Sequence, residues 1–178
     1  MLDAIKAFLK RLGGSKEYED WKRLHKNSYL CSAFTIGNDV KNVKWQLDFF
    51  DPDGIKITSF IEANDEIKLK EDDIFKRPEA IVNELDIEKV KIDLEKAISN
   101  IEKLKKKKYP GENPTQKIII LQNLTTVLWN ITYINTSFNI LNIKVDAING
   151  KIIDDSLTPI MRFKDQRFDK SALDKIKK

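Results

Sequence analysis

Cysteine and histidine are nearly absent from this sequence, which holds one of each, Cys31 and His25. A single cysteine excludes an intrachain disulfide. That fits a reducing compartment, or an exported protein that does without bridges. One histidine and one cysteine also cannot build a zinc site of the usual kind. Cys31 lies in the apolar run Tyr29-Leu30-Cys31-Ser32-Ala33-Phe34, so it reads as a buried structural thiol. His25 belongs to a charged helical stretch and is no evident base for it. Glycine is scarce too, with six residues, and Gly13-Gly14 lacks the context of a phosphate-cradling loop. No run approaches the ~20 apolar residues needed to span a bilayer. The start of the chain, Met1 to Leu12, is broken by Lys6 and Lys10 and lacks the small-residue cleavage site of a secretory signal. A cytoplasmic location is therefore expected.

Carboxylate pairs exist, for example Asp51/Asp53 and Asp72/Asp73, but nothing gives them the contrasting environments that acid–base catalysis needs. The expectation is a protein that is not an enzyme, with no catalytic residue, no cofactor and no metal. What is present is ample apolar and charged material. The 178 residues are 41% hydrophobic and 34% charged, with a net charge of +4. That supports one ordinary domain or two small ones with a well-solvated surface. A charge of this size does not by itself imply nucleic acid. The Asn-x-Ser/Thr matches at Asn123, Asn130 and Asn135 read as chance in a chain rich in Ile, Lys and Asn.

Periodicity divides the chain. Leu2, Ile5, Phe8, Leu9 and Leu12 share one helical face, and Gly13-Gly14 ends that helix. Ser15 is a capping serine for a second helix to about Lys26, with Tyr18, Trp21 and Leu24 at a helical period. From Ser28 the period becomes two. Tyr29–Ile36 and Val43–Phe49 read as strands, the second with Val43, Trp45, Leu47 and Phe49 on one face. Asp51-Pro52-Asp53-Gly54 is a turn signal, and Ile55–Ile61 is a third strand. An acidic stretch from Glu62 to Glu95 follows, in which Pro78 can open a short helix through Leu85.

Asp93 then caps a longer helix with a stripe of Leu94, Ala97, Ile98, Ile101 and Leu104. It ends in four lysines, Lys105 to Lys108. A second meander is expected over Lys117–Leu121, Val127–Ile134 and Phe138–Val145, with Asn149-Gly150 as a hairpin turn and a brief strand at Lys151–Ile153. A polar, basic tail closes the chain, with a frayed helix near Ser171–Lys178.

The halves match without gaps at one offset. Trp45 and Trp129 lie 84 positions apart. At the same spacing Leu47 meets Ile131, Phe49 meets Tyr133, and Ile61-Glu62-Ala63 meets Val145-Asp146-Ala147. Both tryptophans are expected in the core, because each sheet must bury one apolar face under a helix. The second half resembles the PepSY family. The residues that carry the likeness are Asp93-Leu94-Glu95-Lys96-Ala97-Ile98, Trp129-Asn130-Ile131-Thr132-Tyr133 and Val145-Asp146-Ala147-Ile148-Asn149-Gly150-Lys151-Ile152. The match spans about Asp93 to Ile153. The first half would be a degenerate copy that lacks the final glycine. Asp146 and Gly150 read as turn-shaping residues.

The fold expected is therefore α+β, with two PepSY-like helix-plus-antiparallel-meander units in tandem. The divisions are an N-terminal amphipathic helix (1–14), a first unit (15–70), an acidic linker with a short helix (71–92), a PepSY-like unit (93–158) and a basic polar tail (159–178). The resemblance implies a non-catalytic protein-binding or regulatory module, peptidase regulation being one association of the family. The alternative is a basic surface protein that binds nucleic acid or anionic lipid through Lys103, Lys105, Lys106, Lys107 and Lys108 together with the termini. Those lysines read equally as a solvated helix end that suits the helix dipole. The N-terminal helix either packs on the fold or docks on a partner or membrane surface.

Overall fold

The computed structural model describes residues 2–39, 43–63, 66–73 and 81–162. The order is α1 (Leu2–Gly13), α2 (Lys16–Leu24), β1 (Tyr29–Ile36), β2 (Gln46–Asp51), β3 (Lys56–Ala63), β4 (Glu66–Asp73), a 3-10 turn (Ile87–Lys89), α3 (Leu94–Lys108), β5 (Pro114–Asn123), β6 (Val127–Asn135), β7 (Asn139–Asp146) and β8 (Ile152–Pro159). The caps sit where the sequence places them. Ser15 accepts from the Tyr18 backbone N–H at the head of α2, and Asp93 accepts from that of Leu94 at the head of α3. Each satisfies a donor that the first helical turn leaves unpaired.

All strands pair antiparallel in one sheet, in the order β4-β3-β2-β1-β5-β6-β7-β8. The two meanders are thus halves of a single sheet, joined where β1 pairs with β5 and Phe34 stands opposite Ile120. The helices pack on one side. Ile5, Phe8 and Leu12 of α1, Trp21 of α2 and Leu94, Ala97 and Ile101 of α3 share a core with Leu47, Phe49, Phe60, Ile119, Leu121, Ile131 and Ile143. Helix α1 therefore packs on the fold, and Asp93 also accepts from its Leu2 backbone N–H. Trp45 and Trp129 are both buried in this layer, with ring centroids 6.3 Å apart. The Trp129 indole donates to the Ile92 carbonyl at 2.8 Å.

Three features differ from the sequence reading. The first meander has four strands rather than three. The added β4 is an edge strand in which six of eight residues are charged, and charged edges resist pairing with other chains. Strand β8 runs well past Ile153, to Pro159. The short helix from Pro78 through Leu85 does not form over residues 81–86; its first residues lie outside the described ones. The backbone there bonds to its neighbours instead of to itself. Leu85 N–H donates to the Leu30 carbonyl at 2.7 Å, and Tyr29 donates to the Val82 carbonyl at 2.7 Å. The expected helix in the tail, near Ser171–Lys178, also lies outside the described residues.

The repeat offset of 84 also slips. It holds across β2 and β6, but Leu47 stands opposite Phe60 while Ile131 stands opposite Ile143. The turn between β2 and β3 is one residue longer than that between β6 and β7. Consequently Val145 faces the helices while Ile61, beside Gln46, faces away. One inserted residue exchanges the two faces of a strand. Both turns hold a bulky, exposed residue at positive φ, Ile55 (52°) and Phe138 (58°).

Gly150 also needs positive φ, at 79°. Its carbonyl accepts from Asn100 of α3 at 2.9 Å, and a Cβ there would stand 3.2 Å from the same amide nitrogen. Gly150→Ala is expected to destabilise the protein by roughly 1–2 kcal/mol. A lowered melting midpoint with an unchanged far-UV spectrum is the expected readout, and an unchanged midpoint would contradict the assignment.

Candidate functional site

Strand alternation gives the sheet a second face, on which none of the described helices packs. Its side chains form rows across the strands. One row runs Ile61, Gln46, Phe34, Ile120, Asn130 and Lys144. The row on one side runs Ser59, Asp48, Ser32 and Gln122, and on the other side Ile36, Ile118, Thr132 and Asn142. Phe34, Ile36, Ile118 and Ile120 thus form an apolar patch at the junction of the halves. An antiparallel sheet with one solvated face would carry polar residues there.

Two polar clusters flank this patch. Asp48 is 9% exposed. One of its oxygens accepts from Gln46 and Ser59, both at 2.7 Å, and the other accepts from Ser32 at 2.7 Å. On the opposite flank the Asn142 amide donates to Asn130 at 2.7 Å and to Thr132 at 2.8 Å. Cys31 is buried beside the first cluster and donates to the Asp48 carbonyl at 3.2 Å. Burial and the Asp48 charge push its thiol up to about 12, so it stays protonated and unreactive near neutral pH.

The lysine run is divided by the fold. Lys105 is buried, with its ammonium 3.2 Å from Glu102 and 4.7 Å from the centre of the Tyr133 ring. Lys108 and the Tyr109 hydroxyl both donate to Asp155 of β8, and these two bonds hold the Asp155 carboxyl below its usual range. Lys103, Lys106 and Lys107 are exposed and make no ion pair among the described residues. The five lysines therefore do not converge on one point. A hollow of about 310 Å³ beside them is lined by acids as well as bases, including Glu102, Lys106 and Glu112.

His25 is the C-cap of α2 and stacks on Trp21 at 4.8 Å. Its Nδ1 lies 2.7 Å from the buried carboxylate of Asp51, and its Nε2 lies 4.0 Å from Glu71. Asp51 also accepts from the Asp53 backbone N–H at 3.0 Å. The contact joins the end of α2 to the turn after β2. At the matching place in the second half stands Asn135. Its side chain is buried without a hydrogen-bond partner among the described residues, and Tyr109, at the C-cap of α3, donates to Asp155 instead.

Sequence reasoning missed Asp48, Asp51 and the role of His25. Asp51 opens the turn signal Asp51-Pro52-Asp53-Gly54, and in the structure it is the last residue of β2. The only signal for Asp48 was that Gln46 and Asp48 occupy polar positions within a strand, which marks their face but not their burial.

The pair makes stability depend on pH. The His25 hydrogen bond, ahead of the backbone N–H groups of Asp53 and Gly54, lowers the Asp51 pKa below its usual value. A depressed carboxylate contributes stability that is complete above its unfolded pKa of about 3.9 and is lost as pH falls through the folded value. Asp51→Asn is expected to lower stability by about 2 kcal/mol at pH 5. Melting curves of the two proteins should converge below about pH 4. A difference that stays constant down to acid unfolding would contradict this.

No family model matches the chain, and no curated protein matches it. Among solved structures, the chain is similar to a "putative lipoprotein" from Clostridium difficile 630, with 12% identity and a TM-score of 0.48, over 78% of this chain and 88% of that one. The likeness is too slight to bear on function.

Proposed function

We propose that this chain is a non-catalytic protein-binding module of a regulatory kind, built from two PepSY-like units in tandem, which holds a partner on the open face of its sheet. The observation that carries the reading is the apolar patch of Phe34, Ile36, Ile118 and Ile120 on that face. An apolar centre with hydrogen-bonding groups around it is the anatomy of a protein interface. The hydroxyls and amides of Ser32, Gln46, Ser59, Asn130, Thr132 and Asn142 supply that surround. The PepSY resemblance adds a peptidase as the class of partner to try first.

The rival reading, nucleic acid or anionic lipid on the Lys103–Lys108 run, has less support. Lys105 and Lys108 are engaged within the fold, and phosphate binding gains from several cations acting together.

Affinity capture from an extract of the source cells separates the two readings. The wild type should retain a protein partner at high salt. Phe34→Glu should lose it by at least about tenfold, as expected for a central contact. Lys106→Glu with Lys107→Glu should keep it. Salt-sensitive retention on DNA or anionic liposomes, lost with the lysine variant, would overturn the proposal in favour of the rival.

A further inference from the structure

We infer that the partner on the open face brings a cationic side chain, arginine or lysine, set in an apolar segment, and that this cation docks on Asp48. The inference rests on the protein-binding reading above. Its first ground is a charge with no cation against it among the described residues. Asp48 is 9% exposed, and its three side-chain donors, Ser32, Gln46 and Ser59, are all neutral. Among the described residues no lysine, arginine or histidine lies within ion-pair distance of it. Along the same row the next side chain beyond Ser59 is Lys70, two strands from Asp48, or about 10 Å at the spacing of strands. A carboxylate so far removed from water gains much from a cation and tolerates poorly a partner that buries it without one.

The second ground is geometry. One Asp48 oxygen already accepts two hydrogen bonds, while the other accepts a single bond from Ser32. The second oxygen keeps a lone pair for an incoming N–H. Ser32 lies between Asp48 and Gln122 in its row and is followed along β1 by Phe34 on the same face. A segment lying on the Phe34–Ile120 patch is therefore two residues along and one strand across from the carboxylate, roughly 8 Å. Arginine suits such a place, because its stem packs on apolar surface while its head donates. The matching polar cluster, Asn130, Thr132 and Asn142, is neutral, so the buried carboxylate lies on one flank of the patch and sets the direction in which a partner lies.

The probe is a random-peptide phage library selected against the whole chain. Selected peptides should share an arginine or lysine flanked by apolar residues. Replacing that cation by glutamine in a synthetic copy should weaken binding at least about tenfold, and Asp48→Asn should do the same. The peptide substitution needs no change to the protein, so a loss of folding in the Asp48 variant cannot imitate the result. Peptides lost with Phe34→Glu but indifferent to both changes would overturn this inference and leave the protein-binding reading standing. Peptides indifferent to Phe34→Glu as well, or no enriched peptide at all, would overturn both. Self-association of the wild type in sedimentation, abolished by Phe34→Glu, would assign the face to a second copy and likewise overturn the inference.

Discussion

The pairing of β1 with β5 is the contact on which the rest of the structure depends. Each half alone is a four-stranded meander with its helices on one side. The five residue pairs from Ser32/Gln122 to Ile36/Ile118 turn them into one sheet. Because the strands run antiparallel and Phe34 faces Ile120, the halves are related by a local rotation about that pair. The helices of both halves consequently fall on the same side. Trp45 and Trp129 meet there, so the two cores are one.

The same contact creates the apolar patch on the open face. Phe34 and Ile36 come from one half, and Ile118 and Ile120 from the other. The flanking clusters, in contrast, each belong to a single half. Their chemistry has diverged, with a carboxylate at Asp48 and amides and a hydroxyl on the other flank. The C-caps differ in the same manner: His25 meets Asp51, while Tyr109 donates to Asp155 of β8. The halves share a frame and differ in the polar groups set on it.

Much of the frame was legible in the sequence because it is local. Ser15 and Asp93 announce their helices through their own side chains, and the alternation of Trp45, Leu47 and Phe49 needs no partner to be recognised. Strand β4 was not legible. Its apolar positions are Ile67 and Leu69 alone, and it is a strand because β3 supplies its hydrogen bonds. The one-residue slip between Ile61 and Val145 was hidden because both are aliphatic, although they face opposite sides. The open face was half legible. Alternation shows that Phe34 and Ile36 share a side, but only the strand order shows that Ile118 and Ile120 continue it. The state of Asp48 depends on Ser59, from another strand, and no spacing reveals that.

Amide hydrogen exchange followed by NMR tests the joined sheet most directly. Central strands of one cooperative unit exchange only through global opening. The β1 and β5 amides that bond across the junction, around Phe34 and Ile120, are expected to be among the slowest in the protein and to share one opening free energy. Exchange there as fast as on the free edge of β4 would show two separate meanders, and the common face would not exist.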